Sequence, residues 1–180
     1  PVSLAKRRAV SFWNRKIVLT STPTVKGESR IESAFEDSDQ RFYNVKCHKC
    51  DEAQTLNWSQ VRWEKDQPKT TQYHCKHCDA EWSDVDRKKA IRSGEWIATQ
   101  PFSGTAGFHL NGLYSPFVDL SELVNLFLES KHSGQSALRV FVNTVLAESW
   151  EDTEGDEIAT HELISRAKKF DSVIPDKSIG

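Results

Sequence analysis

The stretch YHCKHCDAEW at residues 73–82 holds two cysteines separated by two residues, and VKCHKC at residues 45–50 repeats that spacing upstream. A two-residue spacer lets both sulfurs of a pair point into one tetrahedral site, so two pairs can surround one zinc ion with four thiolates. Because four thiolates leave no open coordination position, this pattern predicts a structural zinc ribbon rather than a catalytic metal. The four predicted ligands, which are all the cysteines of the chain, are Cys47, Cys50, Cys75 and Cys78.

A disulfide, a redox pair or a site with histidine ligands is less favoured than four cysteine ligands. Residues 1–10 are basic without the apolar centre of a secretory signal, and no apolar run approaches the roughly 18 residues of a membrane helix. We therefore expect a soluble intracellular protein without a membrane partner, in which disulfides are disfavoured. A redox site needs only one cysteine pair. His48, His74 and His77 could each replace a cysteine, but we expect them at the surface or beside the ligands.

Composition and charge describe a globular chain of 180 residues, 37% hydrophobic and 28% charged, with a net charge of −2. Residues 1–30 carry seven basic side chains and one acidic, whereas residues 148–162 carry seven acids and no lysine or arginine. This asymmetry suits part of a larger machine, and two solvated helix surfaces are the alternative. The absence of methionine, even at position 1, adds to the expectation of a fragment.

Periodicity predicts an α+β fold with helical carboxy-terminal residues. An amphipathic helix is expected over residues 3–13 with Ser3 as its N-cap, and a buried strand at residues 17–19. Trp58 and Trp63 are the expected apolar anchors of the ribbon. Further helices are predicted near residues 29–38, 83–94, 119–132, 136–150 and 156–170, with extended segments at 41–47, 95–99 and 106–116 and a linker at 171–180.

The predicted strand at residues 17–19 ends in a hydroxyl-rich stretch, TSTPT at residues 20–24. Hydroxyls at the carboxyl edge of a sheet lie where α/β proteins bind ligands. On the residues alone, the alternative of local serine and threonine turn hydrogen bonds is favoured.

Three stretches in the same order resemble the GpA-type family of phage large terminase subunits, related to the phage lambda enzyme. They are the run from FWNRKIVLTSTPT through KCHKC, then GFHLNGLYSPF at residues 107–117, and FVNTVLAESWEDTEG at residues 141–155. The resemblance implies a P-loop ATPase that drives viral DNA into a capsid and a metal-dependent nuclease that cuts it. Implied partners are viral double-stranded DNA, the small terminase subunit and the capsid portal, in the cytoplasm of a bacterial host.

The resemblance also assigns roles to residues. Thr20, Ser21 and Thr22 would form a coupling motif that senses the γ-phosphate. The chain has no Walker A or Walker B motif and no cluster of nuclease acids, so ATP and magnesium are expected only in the full-length parent, and the isolated chain is expected to be inactive. The residues expected to contact DNA or a neighbouring subunit are Lys6, Arg7, Arg8, Arg15 and Lys16.

The expected organisation has four parts. Residues 1–40 would end the ATPase domain as a remnant of its α/β sheet, and residues 41–98 would form an inserted antiparallel zinc ribbon. Residues 99–170 would lead to the nuclease domain, and residues 171–180 would be the linker. The alternative is a free-standing zinc-ribbon adaptor, a prophage remnant that binds nucleic acid or protein.

Overall fold

The structure, a computed structural model, describes residues 2–151. The predicted helix at 156–170, the linker at 171–180 and most of the acidic run therefore lie outside the described residues. The helices and strands of residues 2–151 all belong to the compact unit Pro1–Trp150. The α-helices are α1 (Val2–Arg8), α2 (Arg30–Glu36), α3 (Asp84–Arg92), α4 (Leu120–Ser133) and α5 (Gln135–Phe141). The strands are β1 (Arg41–Lys46), β2 (Ala53–Gln54), β3 (Val61–Glu64), β4 (Gln67–His74), β5 (Glu81–Trp82), β6 (Glu95–Ala98) and β7 (Phe108–His109).

Two small sheets carry the fold. Strand β1 pairs antiparallel with β2 and β6 and parallel with β7, and a second, antiparallel sheet has the order β3-β4-β5. The cysteine pairs follow β1 and β4, so each pair comes from a different sheet. The α+β class predicted from the sequence is confirmed.

The apolar core joins both sheets to the helices. Val45, Tyr73 and Trp82 of the strands are fully buried together with Leu120 and Val124 of α4. The predicted anchors are confirmed as half-buried residues that pack against α4 and α5: the ring centroids of Trp58 lie 5.4 Å from Phe127 and 5.2 Å from Phe141, and those of Trp63 and Phe127 lie 6.0 Å apart. The ribbon therefore shares one core with the helices that follow it.

Helix α3 begins as its sequence predicts. The Ser83 hydroxyl accepts from the Asp86 N–H, and the Asp86 carboxylate accepts from the Ser83 N–H, which completes a capping box. Gly94 follows the helix where a Cβ would lie 2.5 Å from the Tyr43 ring, so the chain approaches β1 too closely for a side chain. The helix prediction for residues 83–94 is confirmed.

The predicted helical hairpin is also present, with a different ending. Gly134 separates α4 from α5. Its φ of 102° is a backbone angle that residues with a side chain rarely adopt. A π-helical turn, Val142–Leu146, follows α5, and Ala147 ends it in the left-handed conformation at φ 55°. The second helix therefore stops before residue 150, and Trp150 instead forms a parallel bridge with Val25.

Three predictions for local structure need correction. Residues 17–19 form no strand, and Val18 is 81% exposed, because no strand within residues 2–151 pairs with this segment. Helix α1 ends at Arg8 and contains Ser3, so Ser3 is not its N-cap. The segment expected to be extended at 106–116 has only the short strand β7 and a 3₁₀ turn, Gly112–Tyr114. Within residues 2–151 no helix is long and apolar enough to cross a membrane.

Candidate metal centre

The first cysteine pair lies in a tight turn after β1. The Cys47 N–H donates to the Glu52 carbonyl at 3.0 Å, and the Asp51 N–H donates to the Cys47 carbonyl at 2.9 Å. Asp51 adopts the left-handed conformation at φ 59°, which aspartate tolerates better than most residues. The Lys49 N–H points at the Cys47 Sγ from 3.4 Å. Backbone hydrogen bonds thus turn both sulfurs of the pair to one side.

The second pair repeats this geometry after β4. The Cys75 N–H donates to the Ala80 carbonyl at 2.9 Å, and the Asp79 N–H donates to the Cys75 carbonyl at 3.0 Å. Asp79 has φ 57°, and the His77 N–H lies 3.4 Å from the Cys75 Sγ. The two turns are therefore equivalent in backbone conformation and in hydrogen bonding.

The four sulfurs converge on one point. Their Sγ atoms all lie within 4.8 Å of one another, and the Cys47–Cys78 and Cys50–Cys75 Sγ pairs are each 3.8 Å apart. Zinc–sulfur bonds of about 2.3 Å in a tetrahedron place sulfurs roughly 3.8 Å apart. All four cysteines are free, because these sulfur–sulfur distances exceed the roughly 2.05 Å of a disulfide bond. The donor set therefore fits a tetrahedral metal ion.

The electrostatics of the site favour a charge at its buried end. Burial raises the pKa of the Cys47 thiol, but the backbone N–H groups of Cys50 and Lys49 and the neighbouring thiols outweigh burial and lower that pKa to about 6. A hydrogen bond from the Glu52 N–H lowers the pKa of Cys50, whereas burial and the other cysteines raise it to about 12. One thiolate thus suppresses the ionisation of its neighbours, and a divalent cation supplies the charge that stabilises all four.

A buried glutamine supports the second turn. The Gln54 side chain, at the end of β2, is 3% exposed. Its Nε2 donates to the Cys75 Sγ at 3.4 Å, and its Oε1 accepts from the Lys76 N–H at 2.8 Å. Gln54 therefore links the two turns and orients one ligand. The sequence reasoning missed this residue, although its position opposite Val45 on the strand that returns from the first turn was a signal.

The three histidines do not join the sulfur cluster, which contains only cysteines within the described part of the chain. The His48 ring packs against Trp82 at 5.8 Å between centroids, and His77 is exposed. The His74 Nδ1 lies 3.7 Å from the carboxylate of Asp79. Four sulfurs complete a tetrahedral shell, so the arrangement suits a structural ion and leaves no position for a substrate.

Comparison with known families decides the relationship of the chain. Residues 1–96, more than half of the chain, match the family described as phage terminase large subunit gpA, ATPase domain. The chain belongs to the phage terminase large subunit gpA family. Residues 105–179 match the family described as terminase large subunit gpA, endonuclease domain.

Individual relatives agree with this assignment to the gpA family. The large terminase subunit of Enterobacteria phage P21 is 28% identical over 203 aligned positions, which cover 97% of this chain and 30% of the relative. The large terminase subunit of Escherichia phage lambda is 28% identical over 197 positions, which cover 96% of this chain and 30% of the relative. The chain thus spans about 30% of the length of these relatives. No solved structure matches it.

The three hydroxyl residues of the predicted coupling motif lie on the surface, and no strand within residues 2–151 includes them. Thr20, Ser21 and Thr22 are exposed, and the Ser21 hydroxyl donates to the Thr22 carbonyl at 2.9 Å. This is the local turn hydrogen bond that the alternative interpretation expects. The coupling role of these residues stays a prediction.

The predicted DNA-contact residues are exposed as well. Lys6, Arg7 and Arg8 form the basic last turn of α1. Arg15 and Lys16 follow in an irregular segment, where an Arg15 guanidinium N–H donates to the Val10 carbonyl at 3.2 Å. Their role in DNA binding also stays a prediction.

Two buried charged residues of the gpA-family chain were missed from the sequence. Asp39 is fully buried before β1, where its carboxylate accepts from the Arg41 guanidinium at 2.8 Å and from the Gly107 N–H at 3.1 Å. The hydrogen bond from Arg41 holds the pKa of Asp39 below its usual value, against the effect of burial. A Cβ on Gly107 would lie 1.9 Å from the Ser38 hydroxyl oxygen, which explains the glycine that begins the family stretch 107–117.

Arg87 is the second of these residues. It lies on α3 and is fully buried, and its guanidinium donates to the Asp84 carboxylate and to the carbonyls of Leu113, Ser115 and Val118. It thereby fixes the stretch 107–117 to the helix that follows the ribbon. Its spacing from Ala90, on the buried side of α3, was the available signal.

Proposed function

We propose that this chain joins the ATPase and nuclease centres of a DNA-packaging terminase and that a structural zinc ion holds its ribbon in shape. The observation that carries the proposal is the pair of family matches, with the ATPase domain at residues 1–96 and the endonuclease domain at residues 105–179. The proposed parts are the end of the ATPase domain at 1–40, the ribbon at 41–98, the segment leading to the nuclease at 99–170 and a linker at 171–180. A region that spans two catalytic domains is suited to fixing their connection.

The geometry of the four sulfurs supports zinc as the metal. Four thiolates at tetrahedral separation are the donors that zinc takes in structural sites. Mass spectra recorded under native and denaturing conditions should differ by one zinc ion per chain. A folded chain without metal, or a chain lighter by two hydrogens per cysteine pair, would contradict the proposal.

Thr20, Ser21 and Thr22 are the proposed coupling motif of the complete terminase. Exposure of all three supports this role, because a hydroxyl bonded only to its own turn can exchange that partner for phosphate, water or a neighbouring acid. ATP and magnesium would bind in the longer parent. The purified 180-residue chain is expected to hydrolyse ATP at the background rate, and robust turnover would overturn this assignment.

The basic amino-terminal residues are the proposed contact with viral double-stranded DNA. Lys6, Arg7 and Arg8 share the last turn of α1, so replacing all three with alanine should weaken duplex binding and reduce the slope of log affinity against log salt by about 3. Replacing the exposed ribbon residues Lys65 and Lys69 with alanine is the matched control. An unchanged slope in the triple variant contradicts the DNA role.

The small terminase subunit and the capsid portal are the further proposed partners, in the cytoplasm of the bacterial host. The experiment that tests the whole proposal is the sequence of the parent reading frame upstream of Pro1. A P-loop motif is expected there, followed by an acidic Walker B strand. A frame without them favours the free-standing zinc-ribbon adaptor.

A further inference from the structure

The end of the hydroxyl-rich stretch is bonded to the end of the helical hairpin. The Trp150 N–H donates to the Thr24 carbonyl at 2.8 Å, and the Lys26 N–H donates to the Trp150 carbonyl at 3.0 Å. Val25 and Trp150 thus form a parallel bridge between two segments far apart in sequence. One segment belongs to the ATPase-domain match and the other to the endonuclease-domain match.

The first side of the bridge is held by an ordered turn. The Glu28 N–H donates to the Val25 carbonyl at 3.2 Å, and Gly27 has φ 78°, so residues 25–28 form a type II turn. The Thr24 N–H donates to the hydroxyl of Ser29, which is buried, at 3.2 Å. Movement at Thr24 is therefore passed to the turn instead of being absorbed by a loose chain.

The second side of the bridge, at Trp150, follows residues that are held by specific contacts. The Ala147 carbonyl lies 3.0 Å from the His109 Nε2, which donates to it in the Nε2-protonated tautomer. Gly112 packs so closely on Val145 that a Cβ would lie 3.0 Å from its Cγ1 and its carbonyl oxygen. The residues before Trp150 are thereby fixed to the stretch 107–117. A displacement of the bridge must act on the hairpin end.

We propose that residues 24–26 and Trp150 form a coupling clip, which transmits movement of the hydroxyl-rich stretch to the nuclease-side segment that contains Trp150. This inference rests on the proposed function for its purpose, since it connects the proposed coupling motif to the endonuclease-domain match. Two backbone hydrogen bonds are few enough to break and reform, so the clip has a closed state and an open one. Coupling through it is reciprocal, and each side responds when the other is loosened.

The type II turn allows a test on the 180-residue chain itself. Proline is favoured at the second position of such a turn, so Lys26→Pro preserves the turn and removes the N–H that bonds Trp150. Hydrogen exchange measured by mass spectrometry should rise roughly five- to tenfold over residues 147–151. Lys26→Ala removes the same side chain but keeps the N–H, so it measures what the side chain contributes, and exchange over residues 147–151 should rise less in it than in Lys26→Pro. Unchanged exchange in Lys26→Pro, or an equal rise in Lys26→Ala, overturns the clip.

A second variant tests transmission without touching the bridge. Ser29→Ala removes the acceptor of the Thr24 N–H, so exchange should rise over residues 24–28 and, through the clip, over residues 147–151. A rise confined to residues 24–28 overturns the coupling. Zinc content and the upstream reading frame test the proposed function separately. A chain with zinc and an upstream P-loop that fails this exchange test retains the proposed function and loses only the clip.

Discussion

The cysteine ribbon and the apolar segment at residues 17–19 were both predicted from short sequence patterns, and the structure confirms the first but not the second. In the ribbon the four sulfurs meet within 4.8 Å, as the spacing predicts. At residues 17–19 the predicted buried strand is an irregular exposed segment, and Ile17 and Leu19 are 46% and 38% exposed. The difference shows that the cysteine motifs themselves contain the groups that form the site, whereas a buried strand depends on other strands to pair with it and on other side chains to cover it.

Physical chemistry explains this difference. Each cysteine turn is built by hydrogen bonds within six residues, and one ion can join the two turns. An apolar strand gains free energy only when other strands satisfy its backbone and other side chains cover it. Each prediction below tests one side of this contrast.

The largest expected effect is the loss of one sulfur. Cys75→Ser should abolish stoichiometric zinc binding and unfold the ribbon, because structural zinc contributes on the order of 10 kcal/mol, comparable to the whole stability of a small domain. Native mass spectrometry and thermal unfolding by circular dichroism measure the two outcomes. His77→Ala, at an exposed position two residues away, is the control and should keep both properties.

A chelator tests the same contrast without a substitution. Removal of zinc should increase hydrogen exchange in β4 and β5 and leave the exchange of residues 16–24 as it was, because that segment is already exposed. If the ribbon stays protected after the metal is removed, its own core of Val45, Tyr73 and Trp82 is sufficient and the ion is dispensable.

The second largest effect is expected at a buried charge. Arg87→Met removes the donor to three carbonyls and the partner of Asp84, so the free energy of unfolding should fall by about 3 kcal/mol. Lys88→Met, the control, removes a partly exposed pair with Asp119 and should cost less than about 1 kcal/mol. Urea unfolding measures both values, and equal effects would contradict the structural role of Arg87.

A smaller effect is expected at the support of the metal ligands. Gln54→Leu removes the donor to the Cys75 Sγ and the acceptor of the Lys76 N–H, so zinc affinity should fall roughly 10-fold. Competition with a chromogenic chelator measures the affinity. Thr55→Ala, at the partly buried neighbouring position, should leave the zinc affinity within about twofold. A normal affinity in Gln54→Leu would mean that the backbone alone orients Cys75.

The sequence predicted the features that depend on near neighbours in the chain. The metal ligands, the Ser83 and Asp86 capping box and the Gly134 break between α4 and α5 all follow from spacings of a few residues. It did not predict the burial of Asp39 and Arg87, because each has one charged partner nearby in the sequence, Arg41 and Asp84 respectively, whereas the other groups that satisfy them lie far along the chain. The donors and acceptors that satisfy them, Gly107 and the carbonyls of residues 113–118, are recognisable only in the folded structure.

The smallest expected effect, that of Val18→Ala, separates the two regions most directly. Val18 and Val45 are both valines in segments that the sequence predicts to be strands, yet Val18 is 81% exposed and Val45 is fully buried on β1. Val45→Ala should lower the free energy of unfolding by about 2 kcal/mol, because it leaves a cavity in the core. Val18→Ala should change it by less than about 0.5 kcal/mol, because nothing in the described structure packs on it. A comparable loss of unfolding free energy for both valines would support the predicted buried strand at residues 17–19. In the 180-residue chain, only Val45→Ala is expected to lower the free energy of unfolding. If Val18→Ala also lowers it in a longer terminase polypeptide, residues 17–19 form a strand when the neighbouring strands are present.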